Sequence, residues 1–85
     1  MILPTIHLNG TSAKALLEQT TVACDDAHNL LKALAEAAPN ERDYYPQGDS
    51  AFEEARREHK ARVEAVRGVL WDMEALAEHC CGALP

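Results

Sequence analysis

Residues 50–81 read SAFEEARREHKARVEAVRGVLWDMEALAEHCC, a stretch without a proline. Apolar and small side chains recur in it at steps of three and four residues, and one position repeats every seven: Phe52, His59, Val66, Met73 and Cys80. This is the period of an α-helix, so the stretch predicts a long helix with one face on a core. Ser50 and Glu53 form a capping box at its start. Gly82 is predicted to cap its end.

A second helix is predicted over residues 12–38. Its stripe comprises Ala13, Leu16, Thr20, Ala23, Ala27, Leu30, Leu34 and Ala37. Thr11 or Ser12 can cap its first free N–H groups, and Pro39 ends it because proline cannot continue a helix. Residues 39–49 hold two prolines, a glycine and both tyrosines. That composition predicts an ordered loop between the helices.

Residues 1–11 are predicted to form an extended N-terminal arm. Ile6 and Leu8 alternate with Thr5 and His7, which fits a short strand with one apolar face. The chain offers no second strand, so the arm either lies along the helices or pairs with its own copy in another subunit. A turn at Asn9–Gly10 leads into the first helix. The sequence therefore predicts one all-α domain, residues 1–85, folded as an antiparallel two-helix hairpin with an arm.

Size and charge narrow the classes of function. The chain has 85 residues, a net charge of −6 and three cysteines. A domain this small buries only roughly 60% of its unfolded surface, so we expect copies to associate as a homo-oligomer. An acidic chain has no general attraction for DNA or anionic membranes. The odd cysteine count and the absence of a signal-like opening favour the cytoplasm, in a host cell if the gene belongs to a phage.

Metal and catalytic sites are not predicted. Adjacent side chains on a helix point about 100° apart, so His79, Cys80 and Cys81 cannot share one ion. His59 lies on the predicted core stripe, where a hydrogen-bonded structural histidine is commoner than a catalytic base. No Ser-His-Asp or Cys-His arrangement is present. We therefore expect no enzyme, no metal and no cofactor.

The register of the hairpin follows from the predicted helix ends at residues 38 and 50. It places Leu30 near His59, and it pairs Asp26 with Arg62 as a partly buried ion pair. On the far side of the second helix, small residues repeat every seven positions beside a tryptophan, which suits close packing by another helix. This predicted self-association surface is Ala61, Gly68, Trp71 and Ala75. The alternative is that the arm covers Trp71 within one chain.

Two segments are candidates for binding an anionic ligand. Around the first helix start, side chains and free N–H groups can hold a phosphate or carboxylate, although simple N-capping explains the same residues. In the loop, an arginine and two tyrosines can hold a phosphate and stack on a base, although the tyrosines also suit covering the hairpin end. A pocket between subunits would combine both sets: His7, Asn9, Thr11, Ser12, Lys14, Arg42, Tyr44 and Tyr45.

The segments LPTIHLNGTS, residues 3–12, and DYYPQG, residues 43–48, resemble small bacteriophage-type proteins. The length and two-helix layout are also similar to phage anti-CBASS sponges, which sequester cyclic nucleotides in pockets between protomers. That second resemblance is architectural, and no binding residue carries over because no motif aligns. It implies a phage accessory protein with a cyclic nucleotide as its ligand.

The sequence thus leaves three functional hypotheses. The first is a non-enzymatic phage protein of counter-defence that sequesters a small nucleotide-like anion between subunits. The second is an inhibitor that binds a host defence protein or a nucleic-acid-binding protein. The third is a structural phage component.

Overall fold

The structure is a computed structural model that describes residues 1–85. It contains α1 (Ala13–Glu36), α2 (Glu41–Tyr44), a short 3-10 helix (Tyr45–Gln47) and α3 (Asp49–Gly82), and no strand. The predicted all-α class is confirmed. The α1 and α3 helices pack side by side as the helix pair, and α2 and the 3-10 helix connect them. Neither long helix carries an apolar stretch of the kind that spans a bilayer.

The molecule is a rod with a thin core. Its extents are 61 × 20 × 17 Å, and its radius of gyration is 18.5 Å. A compact domain of this length has a radius of gyration of about 12 Å. Only four residues are buried, namely Ala13, Ala27, Leu70 and Cys80. Two helices in contact cover one stripe on each, so most apolar side chains outside that stripe stay accessible to solvent.

The ends of α1 agree with the local sequence signals. The Ser12 hydroxyl oxygen accepts a hydrogen bond from the Ala15 amide at 3.1 Å, which confirms Ser12 as the N-cap. At the other end, α1 stops at Glu36, two residues before the predicted boundary. Pro39 follows closely, and the residues before a proline are disfavoured in helical conformation.

The start of α3 differs from the prediction. The helix begins at Asp49, and its N-cap is Gly48, with φ of 97° and no side-chain cap. The predicted capping box of Ser50 and Glu53 is therefore wrong. The 3-10 helix leads directly into Gly48, whose positive φ reverses the chain one residue earlier than Ser50 would. Gly82 is also not a cap, because it lies inside α3 and Ala83 follows as the C-cap.

The N-terminal arm is extended but forms no strand. A turn closed by the Gly10 amide and the His7 carbonyl oxygen, at 3.1 Å, places Leu8 at its exposed tip. Ile6 and Leu8 therefore share no apolar strand face, contrary to the prediction. Gly10 does not have a positive φ. A glycine fits here because of the close approach of the His7 side chain: a Cβ at this position would lie 2.8 Å from His7 Nε2.

The arm returns to the end of α3. The His79 Nε2–H donates a hydrogen bond to the Pro4 carbonyl oxygen at 2.7 Å. The neighbouring Cys80 is the most buried residue of the chain, at 1% exposure. Of the two predicted alternatives for the arm, the structure shows it lying on the helices of its own chain.

The register of the helix pair also differs from the prediction. His59 Nε2 donates a hydrogen bond to the Leu34 carbonyl oxygen at 2.7 Å. His59 therefore lies about one helical turn closer to the end of α1 than Leu30, its predicted neighbour. The physical reason is that α2 and the 3-10 helix pack on the first turns of α3 and displace the end of α1 from them. The predicted Asp26–Arg62 ion pair within the chain is consequently wrong. Arg62 instead pairs with Glu58, at 3.6 Å.

Candidate functional site

The predicted ligand-binding residues lie at the two ends of the rod. Those around the start of α1 are all exposed, and the Ser12 side chain is occupied in capping. The loop residues lie beyond the other end of α1, whose length is about 36 Å at 1.5 Å per residue. One copy of the chain therefore does not bring the two sets together: His7, Asn9, Thr11, Ser12 and Lys14 on one side, Arg42, Tyr44 and Tyr45 on the other.

The tyrosine loop forms a shallow depression of about 130 Å³. Tyr44 is half-buried against Phe52, with ring centroids 6.4 Å apart, whereas Tyr45 is exposed. Three carboxylate residues share the lining of this depression: Glu41, Asp49 and Glu53. Their negative potential opposes an anion beside the tyrosines. The position of Tyr44 is explained by the simpler of its two predicted roles, which is to cover the end of the helix pair.

A larger open cleft, of about 430 Å³, lies beside the end of α1. Its lining is mainly charged, and it consists of Ala38, Pro39, Glu53, Arg56, Arg57, His59 and Lys60. Arg56 pairs with Glu53 at 3.7 Å, and Arg57 pairs with Glu54. Lys60 takes part in no salt bridge, so one ammonium group is free to meet an incoming anion. Sequence reasoning missed the cleft because its wall forms only when α1 ends beside the second and third turns of α3.

One side of the helix pair is polar. At 100° per residue, His28 and Glu74 are displaced in the same rotational sense from the core positions Ala27 and Leu70. Because the two helices run antiparallel, residues displaced in the same rotational sense about their own helix axes project from the same side of the helix pair. The observed 3.8 Å contact between His28 Nε2 and a Glu74 carboxylate oxygen agrees with this.

A thiol lies at the edge of this polar side. Partial burial first, then the carboxylates of Glu74 and Asp25, raise the pKa of the Cys24 thiol above its usual value. Each of these surroundings disfavours the negatively charged thiolate. Because the thiolate is the reactive form, Cys24 is a weak nucleophile at neutral pH.

The opposite side exposes the larger apolar side chains, together with the charged Asp26 and Arg62. Leu30 and Val69 are displaced from the same core positions in the other rotational sense, so they project from one side of the pair. They are 48% and 55% exposed, respectively. Two exposed alanines, Ala33 and Ala65, occupy the same flanks of their helices. We call these four residues the apolar face: Leu30, Ala33, Ala65 and Val69.

The predicted association surface lies on the outer side of α3, away from α1. Trp71 is 65% exposed there, and a Cβ added at Gly68 would meet no atom within 4 Å. Ala61 and Ala75 are exposed as well. The arm reaches His79 and leaves Trp71 uncovered, so the alternative in which the arm shields the tryptophan is wrong.

No three His, Cys, Asp or Glu side chains converge to form a metal site. His59, predicted to be a structural histidine, is half-buried and bonded to the Leu34 carbonyl oxygen, which confirms that role. The sequence suggests for His79 only a metal-binding role, whereas the structure bonds it to the Pro4 carbonyl oxygen of the arm. No family model, curated protein or solved structure matches this chain.

Proposed function

We propose that this chain is a non-enzymatic accessory protein that acts through protein–protein contact, beginning with association of two copies. One observation carries the proposal. The chain exposes 6414 Å², whereas a folded monomer of its mass exposes about 5,000 Å². The difference of about 1,400 Å² includes large apolar side chains on both long helices.

The size of this excess fits an interface. A standard protein interface buries about 800 Å² on each partner, which is more than half of the excess. A chain with only four buried residues also gains more stability from association than a chain with a full core. Association of helix pairs would build the layered helical core that two helices alone lack.

The chemistry of the accessible side chains supports a non-enzymatic role. Cys24 has a raised thiol pKa, Cys80 is 1% exposed, and Cys81 is exposed at the end of α3. Cys24 and Cys80 are poorly suited to act as nucleophiles, because one is held as a thiol and the other is kept from solvent, and Cys81 belongs to no cluster of three His, Cys, Asp or Glu side chains. The imidazoles of His59 and His79 are engaged with backbone carbonyl oxygens.

The test is sedimentation velocity over a concentration series, from low micromolar to near millimolar, with thermal unfolding on the same samples. We expect a reversible shift from one copy to two, with a melting temperature that rises with protein concentration. A monomer at every concentration, with a concentration-independent melting temperature, would overturn the proposal.

A second candidate function is sequestration of a small anion, and the cationic cleft favours it. A cleft of about 430 Å³ is within the size range of small-molecule sites, and Lys60 supplies an unpaired positive charge. The similarity in layout to cyclic-nucleotide sponges makes cyclic nucleotides the first ligands to try. In an assembly, the end residues Lys14 and Tyr44 of different copies can also approach one another.

A thermal-shift screen against cyclic and linear nucleotides tests this candidate. Ligand at 100 times its Kd adds about 2.7 kcal/mol to the free energy of unfolding. Lys60→Ala should abolish the shift, whereas Lys32→Ala, a lysine outside the cleft, should keep it. Loss of the shift in Lys14→Ala and Tyr44→Ala instead would locate the ligand between subunits. No shift with any nucleotide would remove the candidate.

A further inference from the structure

We infer that the partner of the apolar face is a second copy of this chain, related by a two-fold axis that crosses the face near Leu30. In this arrangement Asp26 of each copy meets Arg62 of the other copy. The inference rests on the proposed association and specifies its surface, its symmetry and its charged contacts.

The apolar face is the one surface to which both long helices contribute large exposed apolar side chains on the same side. Leu30 from α1 and Val69 from α3 are each about half exposed. The opposite side carries the His28–Glu74 contact, and α1 contributes no exposed large apolar side chain to it. Packing two apolar faces together produces four helices around a common core, which is a stable layer arrangement.

The charges beside the apolar face are complementary under a two-fold axis. Asp26 and Arg62 are displaced from the core positions in the same rotational sense as Leu30 and Val69, so they flank this face. The His59–Leu34 contact sets the register, and it places Arg62 level with about residue 31 of α1, roughly 7.5 Å or 1.4 turns from Asp26 along the rod, with Leu30 less than one turn from the midpoint. A two-fold axis that lies in the interface, passes through the midpoint and is perpendicular to the line joining Asp26 and Arg62 exchanges the two positions.

Symmetry then produces two identical ion pairs. A two-fold interface is isologous, so a surface whose negative and positive charges are exchanged by the axis is complementary to itself. Asp26 is exposed and has no salt bridge within its chain, and Arg62 has only the exposed Glu58 at 3.6 Å. Both side chains can therefore pair with a partner without breaking any buried contact within their own chain.

The outer side of α3 is the competing surface. There the exposed side chains beside Trp71 are small, and they come from α3 alone. Charged residues such as Glu64 and Arg57 interrupt this surface along the helix. A stripe on one helix buries less area than a face built from two. The competing surface is nevertheless included in the test through Trp71→Ala.

The test uses charge reversal on the full-length chain, with association measured by sedimentation velocity and folding checked by circular dichroism. Asp26→Arg and Arg62→Asp each create two like-charge contacts across the axis, so we expect dimer dissociation constants at least tenfold higher. The double variant restores both pairs with reversed polarity and should associate within about threefold of the natural sequence.

Matched controls make the same charge changes off the apolar face. Asp25→Arg lies next to Asp26 but on the outer side of α1, and Arg67→Asp lies on the polar side of α3. Both should dimerise like the natural sequence, since neither position faces the partner.

The outcomes separate this inference from the proposed function. A dimer that tolerates both single reversals, or that is lost in Trp71→Ala alone, overturns the inference and leaves the proposed association standing. Single reversals that weaken the dimer without rescue in the double variant overturn the Asp26–Arg62 pairing. A natural sequence that stays monomeric overturns both proposals.

Discussion

Replacing Leu70 with alanine is the most direct test of the thin core. Leu70 is 6% exposed, and it is the only large aliphatic side chain among the four buried residues. Removing a buried leucine side chain costs about 2–5 kcal/mol, and less where the surroundings can close around the gap. The core here is a single layer between two helices, so we expect about 2–3 kcal/mol.

That loss is large for a chain of this size. At about 0.05–0.15 kcal/mol per residue, its total stability is about 4–13 kcal/mol. A loss of about 2–3 kcal/mol corresponds to a drop in melting temperature of about 10–20 °C for a domain of this length. Urea unfolding followed by circular dichroism measures the free energy directly, and low protein concentration keeps association out of the measurement.

The neighbouring Val69 supplies the control. It is 55% exposed, so Val69→Ala should change the stability of the single chain by no more than about 0.5 kcal/mol. At high concentration the same variant should lose stability if the apolar face is buried in a dimer. A Leu70→Ala loss below about 1 kcal/mol, or equal losses for the two variants at low concentration, would refute the assigned core direction of α3.

Two further predictions concern the cysteines, and site-resolved mass spectrometry after alkylation measures both. His79→Ala removes the hydrogen bond to Pro4 and should increase the labelling rate of Cys80 several-fold by releasing the arm; an unchanged rate would mean that the arm does not protect this thiol. Glu74→Gln removes a negative charge that raises the pKa of Cys24, so Cys24 should react faster near pH 8. The same pKa shift should make the natural chain lose stability as pH rises above the thiol's ordinary range, because the folded state then retains a proton that the unfolded state has released.

Much of the helical architecture could be predicted from local signals. The stripe between Ser12 and Pro39 located α1 to within about two residues, since a capping hydroxyl and a proline mark its boundaries. The composition of the loop indicated order, but its two short helices carry no periodic pattern that would reveal them. The positive φ of Gly48 has no local sequence signal that separates it from any other loop glycine, whereas Ser50 and Glu53 match the capping-box pattern.

The register and the cleft could not be predicted from the sequence. Both depend on how far α3 extends past the end of α1, and that distance is set by α2 and the 3-10 helix packing on the first turns of α3. The Asp26–Arg62 pair failed within one chain for this reason. The position of the predicted ligand residues at opposite ends of the rod, by contrast, is part of the prediction, since their pocket is expected between subunits.

The contact between Tyr44 and Phe52 has a consequence for the order of folding. Their rings meet across a short stretch of chain, whereas Pro4 and His79 are brought together from nearly opposite ends of the sequence. Closing a short loop loses little conformational entropy, so the segment between Tyr44 and Phe52 is expected to form early. It then aligns α1 and α3, whose remaining contacts form progressively toward the N-terminal arm. Phe52→Leu should accordingly slow refolding more than it speeds unfolding, and His79→Ala should do the reverse. Stopped-flow measurements of refolding and unfolding rates for the two variants decide whether the contacts near Tyr44 form before those near His79.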